Sequence, residues 1–238
     1  MHPRFLFRKL NPLPRRIIFP LLLCIVGAGI LLKLGFWQVD RHEWKKGVLA
    51  EIGGQITAQP VALPDAPTES QHQYLSVKVI GEIGSAEVTV LASTKQVGAI
   101  YRIIAPFRTD DGRMILVDRG FVLDELRDNP RPIGVATLTG NLLWPDEIDK
   151  YTPAPDLKAG IWFARDLEKL AIQLNTDPVL LVVRQSSQVG SGITPLPVDI
   201  TGIPNNHFEY VITWFGLALV WVLMSGLLIW RQTRKSEG

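Results

Sequence analysis

The sequence predicts a membrane protein of the α+β class: two transmembrane helices flanking one exported, mostly antiparallel β domain with a short covering helix. Three observations lead there. Residues 210–230 form an uncharged run of 21 residues, which at about 1.5 Å per residue reaches roughly 31 Å and matches a hydrocarbon core of about 30 Å. A second apolar run occupies residues 17–32. Between the two lie short apolar and β-branched segments punctuated by glycine, proline and aspartate, the pattern of strands and turns.

The first span is expected over 17–37. Its apolar run is interrupted by Lys33, one turn from the far end, where the alkyl stem can lie in lipid while the ammonium reaches water. Arg15 and Arg16 ahead of an apolar stretch also match the opening of a cleaved signal peptide. No small-residue cleavage site follows, so a retained anchor is the preferred reading. The second span is expected over 210–230. Arg4, Arg8, Lys9, Arg15 and Arg16 stand in the first tail (1–16), and Arg231, Arg234 and Lys235 against Glu237 in the last (231–238). Both tails therefore read as cytoplasmic. The 24 residues before Tyr210 carry no lysine or arginine, which suits an exported face. Residues 38–209 are then the exported, periplasmic domain of a multi-pass protein of the bacterial inner (cell) membrane. The short first 16 residues, without a Ser- and Arg-rich presequence, favour bacteria over mitochondria.

Beyond the first span Trp37, Arg41, Trp44, Val48 and Ile52 recur at helical steps, so the helix is expected to continue to about Glu51 and to stop at Gly53 and Gly54. Residues 57–73 read as an extended connection. Strands are expected where Leu75, Val77 and Val79 alternate with polar residues, then over 88–92, 100–108, 113–122, 135–143 and 179–184. Asp110, Asp111 and Gly112 make a tight hairpin turn between two of them. One soluble helix is expected over 166–174, capped by Asp166, with Leu167, Leu170, Ala171 and Leu174 on one face. Residues 190–204 look like a flexible arm leading to the second span. The result is a twisted or partly closed sheet.

Composition narrows the chemistry. A formal net charge of +2 offers no basic field, so nucleic acid is not an expected partner. Cys24, the single cysteine, lies in the first span. An exported part without cysteine has no disulfide and no thiolate metal site, which excludes a thiol oxidoreductase or a cysteine-based copper carrier. The four histidines, His2, His42, His72 and His207, fall at no metal-ligand spacing. No nucleophile elbow, phosphate loop or dinucleotide fingerprint is present, so no enzyme is indicated.

Polar and aromatic residues gather where the spans meet the exported domain: Gly35, Phe36, Trp37, Gln38 and Arg41 from the first, and Asn205, Asn206, His207, Glu209, Tyr210 and Trp214 from the second. His207, Tyr210 and Trp214 share a helix face if the helix begins by Asn206. A neutral imidazole between aromatic rings can bind haem iron, and Arg41 can meet the propionates. The plainer alternative is that Trp37, Tyr210 and Trp214 are an interfacial belt and that His207 caps a helix or bonds to Glu209.

Four blocks extend that pattern: LGFWQVDRHEWK (34–45), PFRTDDGRMILVDRGFV (106–122), GIWFARDL (160–167) and NNHFEYVITWFGLALVW (205–221). In this order, between two spans, they resemble the Surfeit family of cytochrome c oxidase assembly factors. Gly35, Trp37, Gln38 and Arg41 match its first motif, Arg119 and Gly120 its arginine-glycine pair, Trp162 and Asp166 its third block, and Asn206, His207, Tyr210 and Trp214 its last. Phe121 stands where tryptophan is expected, and Pro155 and Gly160 where the family tends to have asparagine. The resemblance implies a non-catalytic assembly factor for a haem-copper oxidase, acting when haem a enters the largest subunit. Haem a would be a transient cofactor on His207, Arg41, Tyr210 and Trp214. The partners would be membrane lipid, that largest subunit and haem a synthase. Gly35, Trp37, Gln38, Arg119, Gly120, Trp162 and Asp166 would be interaction or structural residues. For Arg119 an ion pair with Asp118 and a partner contact stay equally open, and Trp162 reads as core or interface. The rival class is a tethered enzyme or sensor with a pocket lined by groups such as Asp118, Arg119 and His72.

Overall fold

The computed structural model describes residues 15 to 234 apart from 189, 191, 202 and 204. Arg4, Arg8 and Lys9 of the first tail and Lys235 and Glu237 of the last lie outside these residues. The chain divides into two compact units, one of residues 1–48 with 203–238 and one of residues 49–202.

The first unit is a pair of helices, the greater part of α1 (Arg15–Thr57) and all of α4 (His207–Arg234). Both are long and apolar enough to cross a membrane, and only 6% of each apolar stretch is buried. Phe19, Ile25 and Ile30 on α1 and Leu219 and Leu223 on α4 all face outward, as lipid-facing side chains do. The pair packs through small residues. A side chain at Gly27 would overlap the Trp221 indole, and a Cβ at Gly35 would sit 3.0 Å from the Phe215 ring. Close backbone approach of this kind is how apolar helices associate in lipid, where no hydrophobic force favours one apolar neighbour over another. Trp221 donates to the Cys24 carbonyl at 3.2 Å, and Phe36 meets Phe215 edge-on at 5.3 Å.

Helix α1 does not stop at Gly53 and Gly54 as expected but reaches Thr57. A glycine costs about 1 kcal/mol in a helix. Tertiary bonds at the end offset it: the Ile56 carbonyl accepts from Asn141 Nδ2 at 3.0 Å and Arg184 Nη1 at 2.7 Å. Residues 57–73 also hold a short turn of helix, α2 (Glu69–His72).

The second unit is built on β1 (Ser76–Ile83), β2 (Val88–Thr94), β3 (Gly98–Thr109), β4 (Met114–Val122), β5 (Gly134–Leu143), β6 (Ile161–Trp162) and β7 (Leu180–Ser186), with α3 (Leu167–Leu174). The two-residue β6 was not foreseen. The order is β1-β5-β7-β4-β3-β2-β6, and β1 also pairs with the far end of β3. That extra pairing closes β1, β5, β7, β4 and β3 into a ring. The sheet is mixed: β4 runs parallel to β7, and β2 parallel to β6. The other pairings are antiparallel, as expected; the parallel β4–β7 pair follows because a closed ring of five strands cannot alternate direction throughout.

Side-chain alternation then makes two cores. Val77, Val79, Phe107, Ile115, Val117, Leu138 and Leu181, drawn from all five ring strands, fill the interior. Outside it, Leu167, Leu170, Ala171 and Leu174 of α3 pack with Ile104, Leu116, Leu180 and Trp162. Asp166 caps α3 by accepting from the Lys169 N–H at 3.2 Å. Asp110 to Gly112 make the foreseen β3–β4 turn, with Gly112 at φ +89°.

Candidate functional site

Helix α4 begins at His207, three residues before the expected span. This places His207, Tyr210 and Trp214 along one side at steps of three and four. On α1 the same step relates Gly35, Gln38 and His42. Gly35 and Gln38 are buried. Across the pair the Gln38 side-chain oxygen lies 2.8 Å from His207 Nδ1. His207 is thus engaged by the opposite helix and not by Glu209.

Other foreseen residues separate into two groups. Trp37 and Tyr210 are about half exposed, at 55% and 52%, which suits an interfacial belt. Arg41 lays its guanidinium over the Trp44 ring at 3.8 Å, a cation–π contact. Trp214 is half-buried, with its indole N–H buried and without an acceptor.

The structure adds His42 to the site residues named from the sequence. Among the described residues five buried side-chain polar atoms have no hydrogen-bond partner, and three belong to this unit: His42 Nδ1, Asn205 Oδ1 and Trp214 Nε1. The His42 ring lies 5.9 Å from Phe208. His42 is one helical turn beyond Gln38, a spacing visible in the sequence once Gln38 is known to face α4.

The second unit treats its polar residues differently. Asp118 and Arg119 do not pair, because neighbours on a strand point to opposite faces. Asp118, wholly buried, accepts from Arg102 at 2.6 and 2.7 Å, from Arg165 at 3.3 Å and from the Gly120 N–H at 3.1 Å. Arg165 also pairs with Glu147, Nε to Oε1 at 3.0 Å. Burial alone would raise the Glu147 carboxyl, but the Arg165 guanidinium holds it below its usual range. Burial likewise works to lower Arg165, and Glu147 and Asp118 lift it above its ordinary value. Arg119 donates to the Pro132 carbonyl at 2.9 Å and to Gln188 at 3.2 Å, and burial lowers its pKa.

Gly120 follows at φ +116°, and a side chain there would strike the Thr194 carbonyl. Thr194 and Phe121 exchange two backbone hydrogen bonds of 2.8 Å, and Arg102 reaches the Leu196 carbonyl at 3.3 Å. The expected flexible arm is therefore pinned along its described part. Trp162 is 5% exposed and belongs to the outer core. His72 Nδ1 accepts from the Thr68 N–H at 3.0 Å on an exposed turn. Asp118, Arg119 and His72 thus face three different surroundings.

A model of the SURF1 family matches residues 25–219. Surfeit locus protein 1 of Rattus norvegicus is 30% identical over 206 residues, covering 77% of this chain and 67% of that protein. That of Homo sapiens is 30% identical over 210 residues, 78% and 69% of the two chains. The SURF1-like protein of Rickettsia bellii (strain RML369-C) is 30% identical over 223 residues, 88% and 89% of the two chains. The chain belongs to the SURF1 family.

Proposed function

From that membership we propose that the chain is a non-catalytic assembly factor for cytochrome c oxidase. It would sit in a bacterial inner membrane with both termini cytoplasmic and residues 38–209 on the periplasmic side, and would receive haem a on its way to the largest oxidase subunit. Haem a is cargo in this reading. Haem a synthase is the expected donor and membrane lipid the medium.

One observation carries the haem part of the proposal: three buried polar atoms without partners among the described residues, His42 Nδ1, Asn205 Oδ1 and Trp214 Nε1, in the same helix pair as His207. Each such atom costs about 1–3 kcal/mol when nothing meets it. A polar or metal-bearing occupant beside the helix pair would repay that cost. The residues fit a haem. His207 supplies a nitrogen for iron, Arg41 a cation for propionates, and Tyr210 and Trp214 aromatic walls. A farnesylated ring is amphipathic, so a handover point at the membrane edge keeps its tail in lipid while protein holds the ring.

The direct test is the visible spectrum of the protein purified from cells making haem a, repeated with His207→Ala. A haem band lost in the variant supports the assignment; an unchanged Soret band removes His207 from it. Independently, a strain lacking the protein should lose oxidase activity and haem a content. Normal values there would leave the assembly role without support.

A further inference from the structure

We propose that Gln38 is a positioning residue, which fixes His207 as the Nδ1-protonated tautomer and so presents the Nε2 lone pair to the cargo. The inference deepens the haem reading above and rests on it for its functional consequence. Its structural core rests on the geometry alone. A side-chain amide oxygen accepts and cannot donate. With the Gln38 amide placed so that Oε1 lies 2.8 Å from His207 Nδ1, a neutral ring makes this bond by carrying its proton on Nδ1, which leaves Nε2 unprotonated. Gln38 is 8% exposed and sits one turn from Gly35, where the helices approach within contact distance of Phe215. The acceptor is therefore held by packing, as a group that orients a ligand has to be.

The choice of an amide has a chemical consequence. Resident metal sites often place a carboxylate behind the ligating histidine, which raises its basicity and tightens the metal. A neutral amide orients the ring with less electron donation. That combination suits a residue that must present a ligand and later give up what it holds.

The test uses the full chain in lipid nanodiscs with ¹⁵N-labelled histidine. At about pH 8.5, where histidine side chains are neutral, the two ring nitrogens of His207 are distinguished by their chemical shifts, the signals being assigned by their loss in His207→Ala. Haem-free protein should show Nδ1–H. Gln38→Glu, which keeps the size and the acceptor, should retain it, and Gln38→Leu should move the ring towards Nε2–H. An Nε2–H ring in the unaltered protein, or the same tautomer in Gln38→Leu, would overturn the proposal.

The consequence is read by loading haem a and following its transfer to excess apomyoglobin. Release should be slower in Gln38→Glu and faster in Gln38→Leu, by about tenfold or more in each direction. Equal rates would remove the release argument while leaving the tautomer result standing. A protein that takes up no haem at all would sink the functional reading, with the NMR result deciding the role of Gln38 separately. Should Gln38→Leu fail to fold, the comparison of Gln38→Glu with the unaltered protein still decides the release argument, and the tautomer of the unaltered protein decides the structural one.

Discussion

In the sheet unit the buried carboxylate of Asp118 is met by two guanidinium groups and a backbone N–H. In the helix pair the buried Nδ1 of His42, Oδ1 of Asn205 and Nε1 of Trp214 are met by nothing among the described residues. Both regions hold polar groups out of water: the first surrounds its buried carboxylate with donors, and the second leaves three polar atoms without a partner among the described residues. The sheet unit has two unpaired atoms of its own, Asn141 Oδ1 and Thr176 Oγ1, neither of which belongs to the Asp118 network. A closed network of charges stabilises one conformation and asks for no visitor. Unpaired polar atoms in the helix pair lower stability unless an occupant meets them, which is why the helix pair, and not the sheet, is the candidate site.

The comparison breaks most visibly at Asp118. Replacing it with alanine leaves the Arg102 and Arg165 guanidinium groups without their shared carboxylate, and urea unfolding of the full chain in detergent should show a loss of about 3–5 kcal/mol. Haem uptake by the fraction that folds should not change; a variant that folds normally but loses haem would place function in the sheet. Next comes Gly120→Ala, which combines a strained φ with a collision at the Thr194 carbonyl. We expect about 3 kcal/mol of destabilisation, together with protease cleavage within residues 192–201 that the parent chain resists.

Asp166→Ala and His207→Ala should both cost about 1 kcal/mol of stability, one through a lost helix cap and the other through a lost neutral hydrogen bond. Only the second should abolish the haem spectrum. Equal effects on haem would blur the distinction between the two regions.

The smallest effect is one of pH. Hydrogen bonds from the Arg113 guanidinium and then the Thr109 hydroxyl hold the Asp111 carboxyl below its ordinary 3.8, at about 2. Because the folded value is depressed, its stabilising contribution is present above about pH 3.8 and fades as pH falls through about 2. Melting temperatures measured between these limits should fall less steeply in Asp111→Asn, and parallel curves would show that the turn contributes nothing.

Much of this was legible in the sequence. Six of the strands, the β3–β4 turn and α3 depend on alternation, turn residues and capping within a few positions, and they lie where those signals put them. The gathering of Gln38 and His207 near one end of the two spans was legible for the same reason, since the length of each apolar run sets where it ends. Elsewhere the local signals were overruled or left open. Asp118 does not pair with Arg119, Gly53 and Gly54 do not end α1, and the arm after Gly190 is held at Thr194. For α1 and the arm a partner distant in the chain overrode a local preference, the Asn141 and Arg184 side chains in one case and Phe121 in the other; for Asp118 the strand's own alternation turned it away from Arg119 and towards Arg102 and Arg165. The small β6 left no periodic trace, since two residues are too few to show one.

Hydropathy and short-range periodicity by themselves determined the two apolar helices, the β-rich segment between them and the positions of most turns, because these follow from contacts within a helical turn or between alternate residues. Tertiary structure alone decided that the strands close into a ring and that Asp118 bonds residues 16 and 47 positions away. It also decided that Gln38 reaches His207 across 169 positions. Such pairings depend on strand register and helix rotation, which are set by the packing of the whole unit and are not written in any short stretch of chain.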